Sequence, residues 1–513
     1  MRDLHNNTAS AIQKHVDFFK EQENLICKDC APSLNNARHT AICSLSNSAT
    51  SDTLGALTSS ANKDSEKDIN ATAESRRALE PLWAINYGMN LRRLPVSVSG
   101  RDLFHCEVPS ISARPHYFIN DQYHATVSSH ASANSSCASP CTFSNTCSMQ
   151  VANASGILIG SLNEMAKKHP ELVGHYYDRL AGCDGQGDTV PSDAATSDNS
   201  RYIDQIAALN TAFAQDGLFV YVPQGVQSTE ITQLVNLSTS LVDLMTHRRL
   251  LIVIEDGASF SLLSCDHSLD AVRFLGTQVA EIYVGHDATF NFYDLEETHK
   301  DTTRLFNMYV RQADNSTVNV CTLTLHNGIT HNRVRACLAG QGAHLNIKGL
   351  ALSDKKQYTE TDTVIDHAVP LTTAEELYKY VLDGESKATF VAKTLVRPHA
   401  QKTNSRQTAK ALCLTSQARL FAQPNLEIYA DDVKCSHGAG IGQLDEAALF
   451  FMQQRGIGRV EARYLLLVAF LSDVIDDIHI PTLADRLRHL LDKRLRGELR
   501  ECEGCKTYRN DHG

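Results

Sequence analysis

The sequence predicts a mainly β protein, built as a stacked solenoid with helices before and after it. Three observations carry this reading. From about residue 217 the chain runs through short segments rich in Val, Ile, Phe and Tyr, such as "RLLIVIEDGASFSLLSC" and "VAEIYVGHDATFNFYDL", with almost no helical pattern between them. A turn element recurs, Asp256-Gly-Ala, Asp287-Ala-Thr, Asp314-Asn-Ser-Thr, Gly342-Ala-His and Ser386-Lys-Ala-Thr, with copies roughly 30 residues apart and one longer gap. After residue 442 the apolar spacing returns to that of helices. A solenoid accounts for the recurrence, because every coil turns its corner at the same place and buries its inward side chains on the coil below. An ordinary antiparallel sandwich with regular hairpins is the competing architecture.

In chain order, residues 1–75 form a polar, Ser/Asn/Ala-rich extension that is expected to be partly disordered after one short amphipathic helix near 8–22. Residues 76–200 read as a mixed, largely helical region. Within it, "SSHASANSSCASPCTFSNTCS" (128–148) is a low-complexity insertion. "SLNEMAKKHPELVGHYYDRLA" (161–181) opens with the Ser161/Glu164 spacing of a helix capping box. Residues 184–200 are a loop by composition. The solenoid is assigned to 201–441 and a C-terminal helical domain to 442–513. There Asp445 can cap "EAALFFMQQR", Gly456 stops it, and two further segments each carry one apolar face.

A chain of 513 residues is too long for one compact core. A formal net charge of −11 argues against a nucleic-acid surface. No apolar run approaches the roughly 20 residues needed to span a bilayer. The first 20 residues lack the apolar core of an export signal, so a cytoplasmic protein is expected. The fifteen cysteines then read as free thiols or metal ligands rather than disulfides. "CKDC" (27–30) and "CEGC" (502–505) would make a four-cysteine zinc site only if the two ends met. Cys137, Cys141 and Cys147 are loop thiols on this reading. There is no Gly-x-x-x-x-Gly-Lys-Ser/Thr loop, so the chain is not expected to hydrolyse ATP itself.

The densest chemistry lies in "LEIYADDVKCSHGAGIGQLDEAALFFMQQRGI" (426–457), where a strand runs into a cluster and a helix runs out of it. Thiolate and imidazole are both metal ligands. Residues two apart on a strand share a face, so Cys435 and His437 could offer both donors to one site. The plainer reading is that Cys435 is a small apolar side chain and His437 fixes a turn with Gly438. Asp431 and Asp432 read as a solvated strand end.

This stretch resembles the SufB/SufD family of iron–sulfur cluster assembly proteins, and its SufD branch in particular, with Gly440 where Thr is usual. The likeness is strongest over 403–471. It extends in order through "YFINDQYHATV" (117–127), "ALNTAFAQDGLFVYVPQGV" (208–226), "IVIEDGASFSLL" (252–263) and "QYTETDTVIDHAVPLTTAEELYKYVLDGESKATF" (357–390). It implies a right-handed parallel β-helix core and a C-terminal helical domain. It also implies a non-catalytic scaffold subunit that forms a heterodimer with a SufB-like partner through the β-helix, or a homodimer when alone. Its C-terminal helices would dock SufC, an ABC-type ATPase that supplies the ATP hydrolysis. On the same resemblance, His437 and beside it Cys435 bind a nascent iron–sulfur cluster or iron at the SufB interface. The SufB branch carries a further cysteine near the position of Thr408. The nearest thiol here, Cys413, falls in the apolar run "ALCL" and reads as core. His367, in "DHAVP", reads as structural. A competing function for a solenoid is a polysaccharide lyase or hydrolase, but those are usually exported and group carboxylates on one face, which this chain does not do.

Overall fold

The computed structural model describes residues 115–125, 156–181, 205–478 and 480–496, together with Leu34 and Ala37. The 128–148 insertion, the helix expected near 8–22, the loop at 184–200 and both Cys-x-x-Cys pairs lie outside these residues. The described chain forms nineteen strands and six helices. Two sheets, of ten and nine strands, take alternate strands along the chain, and beyond the N-terminal end every pairing is parallel. Each coil thus contributes one strand to each sheet, which is the parallel solenoid the turn spacing predicts.

The register states the repeat directly. Ser259, Thr289, Thr317, His344, Thr373, Asn404 and Lys434 stand in one column, each pair 27 to 31 residues apart. The corner before this column needs one left-handed residue per coil. Gly257, Asp287, Asn315 and Gly342 supply it, with φ of 64°, 54°, 54° and 72°. The corners are tied to one another as well. Asp256 Oδ1 accepts from the His286 N–H at 2.8 Å, and Asp314 Oδ1 accepts from the Gln341 N–H at 2.7 Å. The small residue after each turn, Ala258, Ala288, Ser316 or Ala343, is fully buried where the chain enters the next strand.

Ser386 does not belong to this series. It stacks on the opposite corner, where Arg419 donates its N–H to the Ser386 carbonyl and Glu385 donates to Lys355. The long gap in the sequence series is therefore one coil and a half. A small residue past a turn is required at both corners of a two-sheet coil, so sequence alone cannot tell them apart.

The space between the sheets is filled by inward apolar rows. Phe260, Phe290, Phe292 and Phe306 form a ladder with ring centroids 6.0 to 6.5 Å apart. The N-terminal end is closed. A hairpin, His116–Ile119 with Gln122–Ala125, adds to one sheet, and Leu158–Ser161 adds antiparallel to the other. Ser161 caps the helix α1 (Leu162–Lys168) by accepting from the Glu164 N–H, as its spacing predicts. The helical pattern over 161–181 is nevertheless two helices, because Pro170 restarts it as α2 (Pro170–Tyr176) after His169. The helix α3 (Gln205–Phe213) lies on the coils that follow, with Asn210 donating to the Arg248 carbonyl at 2.9 Å.

After the last strand come α4 (Glu446–Gln453), α5 (Arg459–Ile475) and α6 (Pro481–Leu495). Asp445 caps α4 through the N–H groups of Ala447 and Ala448, and Gly456 turns the chain out of it at φ 83°. α5 and α6 pack on the outer face of the ten-stranded sheet as well as on each other. Leu467, Leu471, Leu483 and Leu487 share one apolar cluster with Leu263, Leu295, Cys321 and Leu323. Lys379 fixes the seam by pairing with Asp473 at 2.6 Å.

Candidate functional site

The cluster that the sequence places between a strand and a helix is itself the last strand of the solenoid, Lys434–Gly442. It runs parallel to Asn404–Cys413, with Cys435 beside Ser405, His437 beside Gln407 and Gly438 beside Thr408. Ser405, Gln407 and Ala409 are buried, so this is the inward row of the coil. Cys435 and His437 occupy the same row one coil later, and among the described residues no coil follows them. The expected shared face is therefore present, and it is the interior face of an unfinished end.

The two side chains differ in exposure. Cys435 is half-buried and packs with Val433 against Val396, Ala400 and Ala430. That burial pushes its thiol pKa up, partly offset by a hydrogen bond from the Ser405 backbone. His437 is exposed and lines an open depression of ≈ 380 Å³ together with Arg406, Gln407, Thr408 and Gly438. Gly438, Gly440 and Gly442 lie in the strand, paired with Thr408, Lys410 and Leu412, and a side chain at any of them would meet nothing within 4 Å. They leave the end of the solenoid low and open.

Asp431 and Asp432 are exposed in the preceding turn, where the Asp432 N–H donates to Gln401 Oε1 at 2.9 Å and its carbonyl accepts from Lys402 at 2.6 Å. They are turn residues, as expected of a solvated strand end. Cys413 is in the core between the sheets. His367 is fully buried and hydrogen-bonded to Thr372 Oγ1 at 2.8 Å, and burial lowers its pKa to about 4. It is structural. Among the described residues no group of three or more His, Cys, Asp or Glu side chains is arranged to hold a metal ion. Cys435 and His437 are two donors, so any complete iron site at this end needs donors from a second molecule or from the cargo itself.

Two further side chains stand behind His437 that sequence reading passes over. Gln407 is directly beneath it in register, and Glu376 is beneath Gln407. Both are buried, and burial raises the Glu376 pKa to about 7. The only sequence signal is a polar residue at an inward position of "NSRQTAKALC" and of "TAEELYKYVL", and it can be recognised only once the register is known.

The likeness to known proteins covers these same coils. The description "SUF system FeS cluster assembly, SufBD core domain" matches residues 236–470, and "SufBD protein N-terminal region" matches residues 70–234. A Synechocystis iron–sulfur cluster assembly SufBD family protein is 28% identical over 311 residues, 58% of this chain and 65% of its own length. The Escherichia coli iron–sulfur cluster assembly protein SufD is 26% identical over 284 residues, 55% of this chain and 64% of its own length. The Bacillus subtilis SufD is 24% identical over 346 residues, 66% of this chain and 74% of its own. The chain spans a little under two thirds of the first two relatives. With one matched region following the other from residue 70 to residue 470, across the coils that carry Cys435 and His437, the chain belongs to the SufBD family.

Proposed function

We propose that the chain is a SufD-type scaffold subunit of a SUF iron–sulfur assembly complex, and that it holds a nascent cluster or its iron through His437, with Cys435 beside it. The observation that carries this reading is the position of the pair, on the inward row of a solenoid left open at its end. A SufB-like partner seated there would complete both the coil stack and the ligand set. The two ends of the solenoid differ in a way that supports this. Among the described residues, the outermost strands at the N-terminal end have four residues each, whereas Arg419–Ile428 and Lys434–Gly442 present free edges of ten and nine. Long free edges are templates for pairing with another chain. Tyr429 and Ile441 are exposed at the same end, at 62% and 56%.

A second surface suits an ABC-type ATPase such as SufC. Phe450, Phe451 and Val460 are exposed on α4 and α5, with Leu465 and Val468 following. Grouped exposed aromatics of this kind mark interfaces. On this reading the chain contributes ligands and surfaces, the cluster is its cargo, and ATP hydrolysis belongs to the partner. No observation favours a polysaccharide-cleaving solenoid. Affinity capture of the tagged chain under anaerobic conditions, with iron and sulfide analysis, tests the proposal. Recovery of an ATPase and a SufB-like chain with iron and sulfide is expected. His437→Ala should keep both partners and lose most of the iron and sulfide. Full cluster loading of the His437→Ala complex would overturn the ligand assignment, and a chain that captures neither partner would overturn the scaffold.

A further inference from the structure

The column behind His437 carries an inference about how that histidine is set. Ile347, Glu376, Gln407 and His437 occupy one inward row on four successive coils, each in register with the next. Below Glu376 the row is apolar. From Glu376 outward it is polar and incompletely bonded. Glu376 is 1% exposed; its Oε1 accepts from Thr363 Oγ1 at 2.7 Å, while its Oε2 has no partner. Gln407 is 0% exposed, and neither its Oε1 nor its Nε2 has a partner. A buried amide left unpaired at both ends is costly to keep, and an apolar residue of its size would pack there without that cost.

Adjacent strands are separated by ~4.8 Å, a gap that a Gln side chain can bridge on either side. On one side stands an unpaired carboxylate oxygen, an acceptor. On the other stands an imidazole, whose N–H is a donor. The order acceptor, amide, imidazole matches the polarity of a hydrogen-bonded chain. A histidine that ligates a metal through one nitrogen is typically fixed by donating its other N–H to a carbonyl or carboxylate, which sets tautomer and ring orientation.

We infer that Gln407, held from behind by Glu376, is the positioning residue of His437. Its Nε2 donates to Glu376 Oε2, its Oε1 accepts the N–H of the imidazole, and the other imidazole nitrogen is left facing outward for iron. This rests on His437 being a ligand, as proposed above. The chain of bonds closes when the imidazole lies down over the row, as it would beneath a partner that covers the open end.

Anaerobic titration of the full-length chain, assembled with its SufB-like partner, with Co²⁺ tests it. The His437-dependent part of the d–d spectrum is isolated as the difference between the unaltered chain and His437→Ala, which removes contributions from other thiols. Gln407→Leu should weaken that component about 10-fold or more. The melting temperature of the chain without its partner should stay the same or rise, because there an orphan amide has been replaced by an apolar group. Gln407→Met provides the same loss should Leu disturb packing. Gln407→Glu, which as a neutral acid keeps a carbonyl acceptor on the same frame, should recover most of the affinity. Glu376→Leu should weaken binding in the same direction by less. Unchanged Co²⁺ binding in the Leu and Met variants, or no recovery in Gln407→Glu, overturns the positioning role while leaving His437 a ligand. Identical spectra for the unaltered chain and His437→Ala would remove the ligand itself, and the positioning role with it.

Discussion

Cys435 and His437 are chemically paired but physically unlike. The imidazole is open to solvent, whereas the thiol is half-covered by Val396, Ala400 and Ala430 and its pKa is raised. A thiol in that state reacts slowly, because the thiolate is the nucleophile. The isolated chain should therefore label slowly at Cys435 with iodoacetamide near neutral pH. Only Gln443, Leu444 and Asp445 separate this strand from α4, and Leu444 packs against the cluster that holds α5 and α6. A movement of those helices by a bound ATPase can reach the end of the strand through three residues, and the thiol along the strand that follows from it. Labelling in the assembled complex should be faster with ATP than without it, and an ATPase locked open should remove the difference. Equal rates in every nucleotide state, with Cys435 confirmed as the modified residue, would mean that the site is static. The strand pairing of Gly438, Gly440 and Gly442 matters here. They are held by the ladder to Asn404–Cys413, so the joint lies after them and not within them.

The C-terminal helices have two apolar faces with different fates. Leu467, Leu471 and Leu487 are buried against the sheet, and Phe450, Phe451 and Val460 are exposed. Truncation at 445 would uncover Leu263, Leu295, Cys321 and Leu323 at the same time as it removed the exposed face, so a loss of binding would have two causes. Point changes separate them. The double change Phe450→Asp, Phe451→Asp should cost ATPase binding about 2 kcal/mol or more. It should leave the melting temperature within a degree or two of the parent's, since neither ring supports the fold. Retained capture of the ATPase would move the docking surface elsewhere.

Across the whole molecule, the solenoid interior is less apolar than a two-sheet stack requires. Arg304 is buried on the inward rows among Asp266, Asp294 and Glu296, while on the outer face of the nine-stranded sheet Arg249 ties Asp178 and Glu281 together beneath α3. Among the described residues Glu376 has no cation of this kind beside it, and the neighbouring Asp362 raises its pKa further. Its folded pKa, about 7, lies above the 4.5 of a free glutamate. Between those values the folded state binds more protons than the unfolded one, so stability falls as pH rises through the window and is flat above it. Glu376→Gln removes the carboxylate and keeps the shape. It should raise the melting temperature above that of the parent at pH 8 and leave it nearly unchanged at pH 5. A gain of equal size at both values would show that charge is not the cause.

The sequence by itself determined the class of fold and its repeat. A period of two, with a small residue past a turn every coil, is a local property, and local properties are written in neighbouring residues. Ser161, Asp445 and Gly456 set helix ends for the same reason. The motif around Cys435 and His437 was legible as a pair of donors on one face. Only the tertiary structure decided which face that is and what stands behind it. Which corner Ser386 occupies, and the fact that His437 caps a column running through Gln407 to Glu376, both depend on register between residues about thirty apart. A shift of one residue in a strand turns each of its side chains to the other face, and nothing local to Gln407 fixes that choice. The stacking of whole coils fixes it, and with it the inward row on which the site is built.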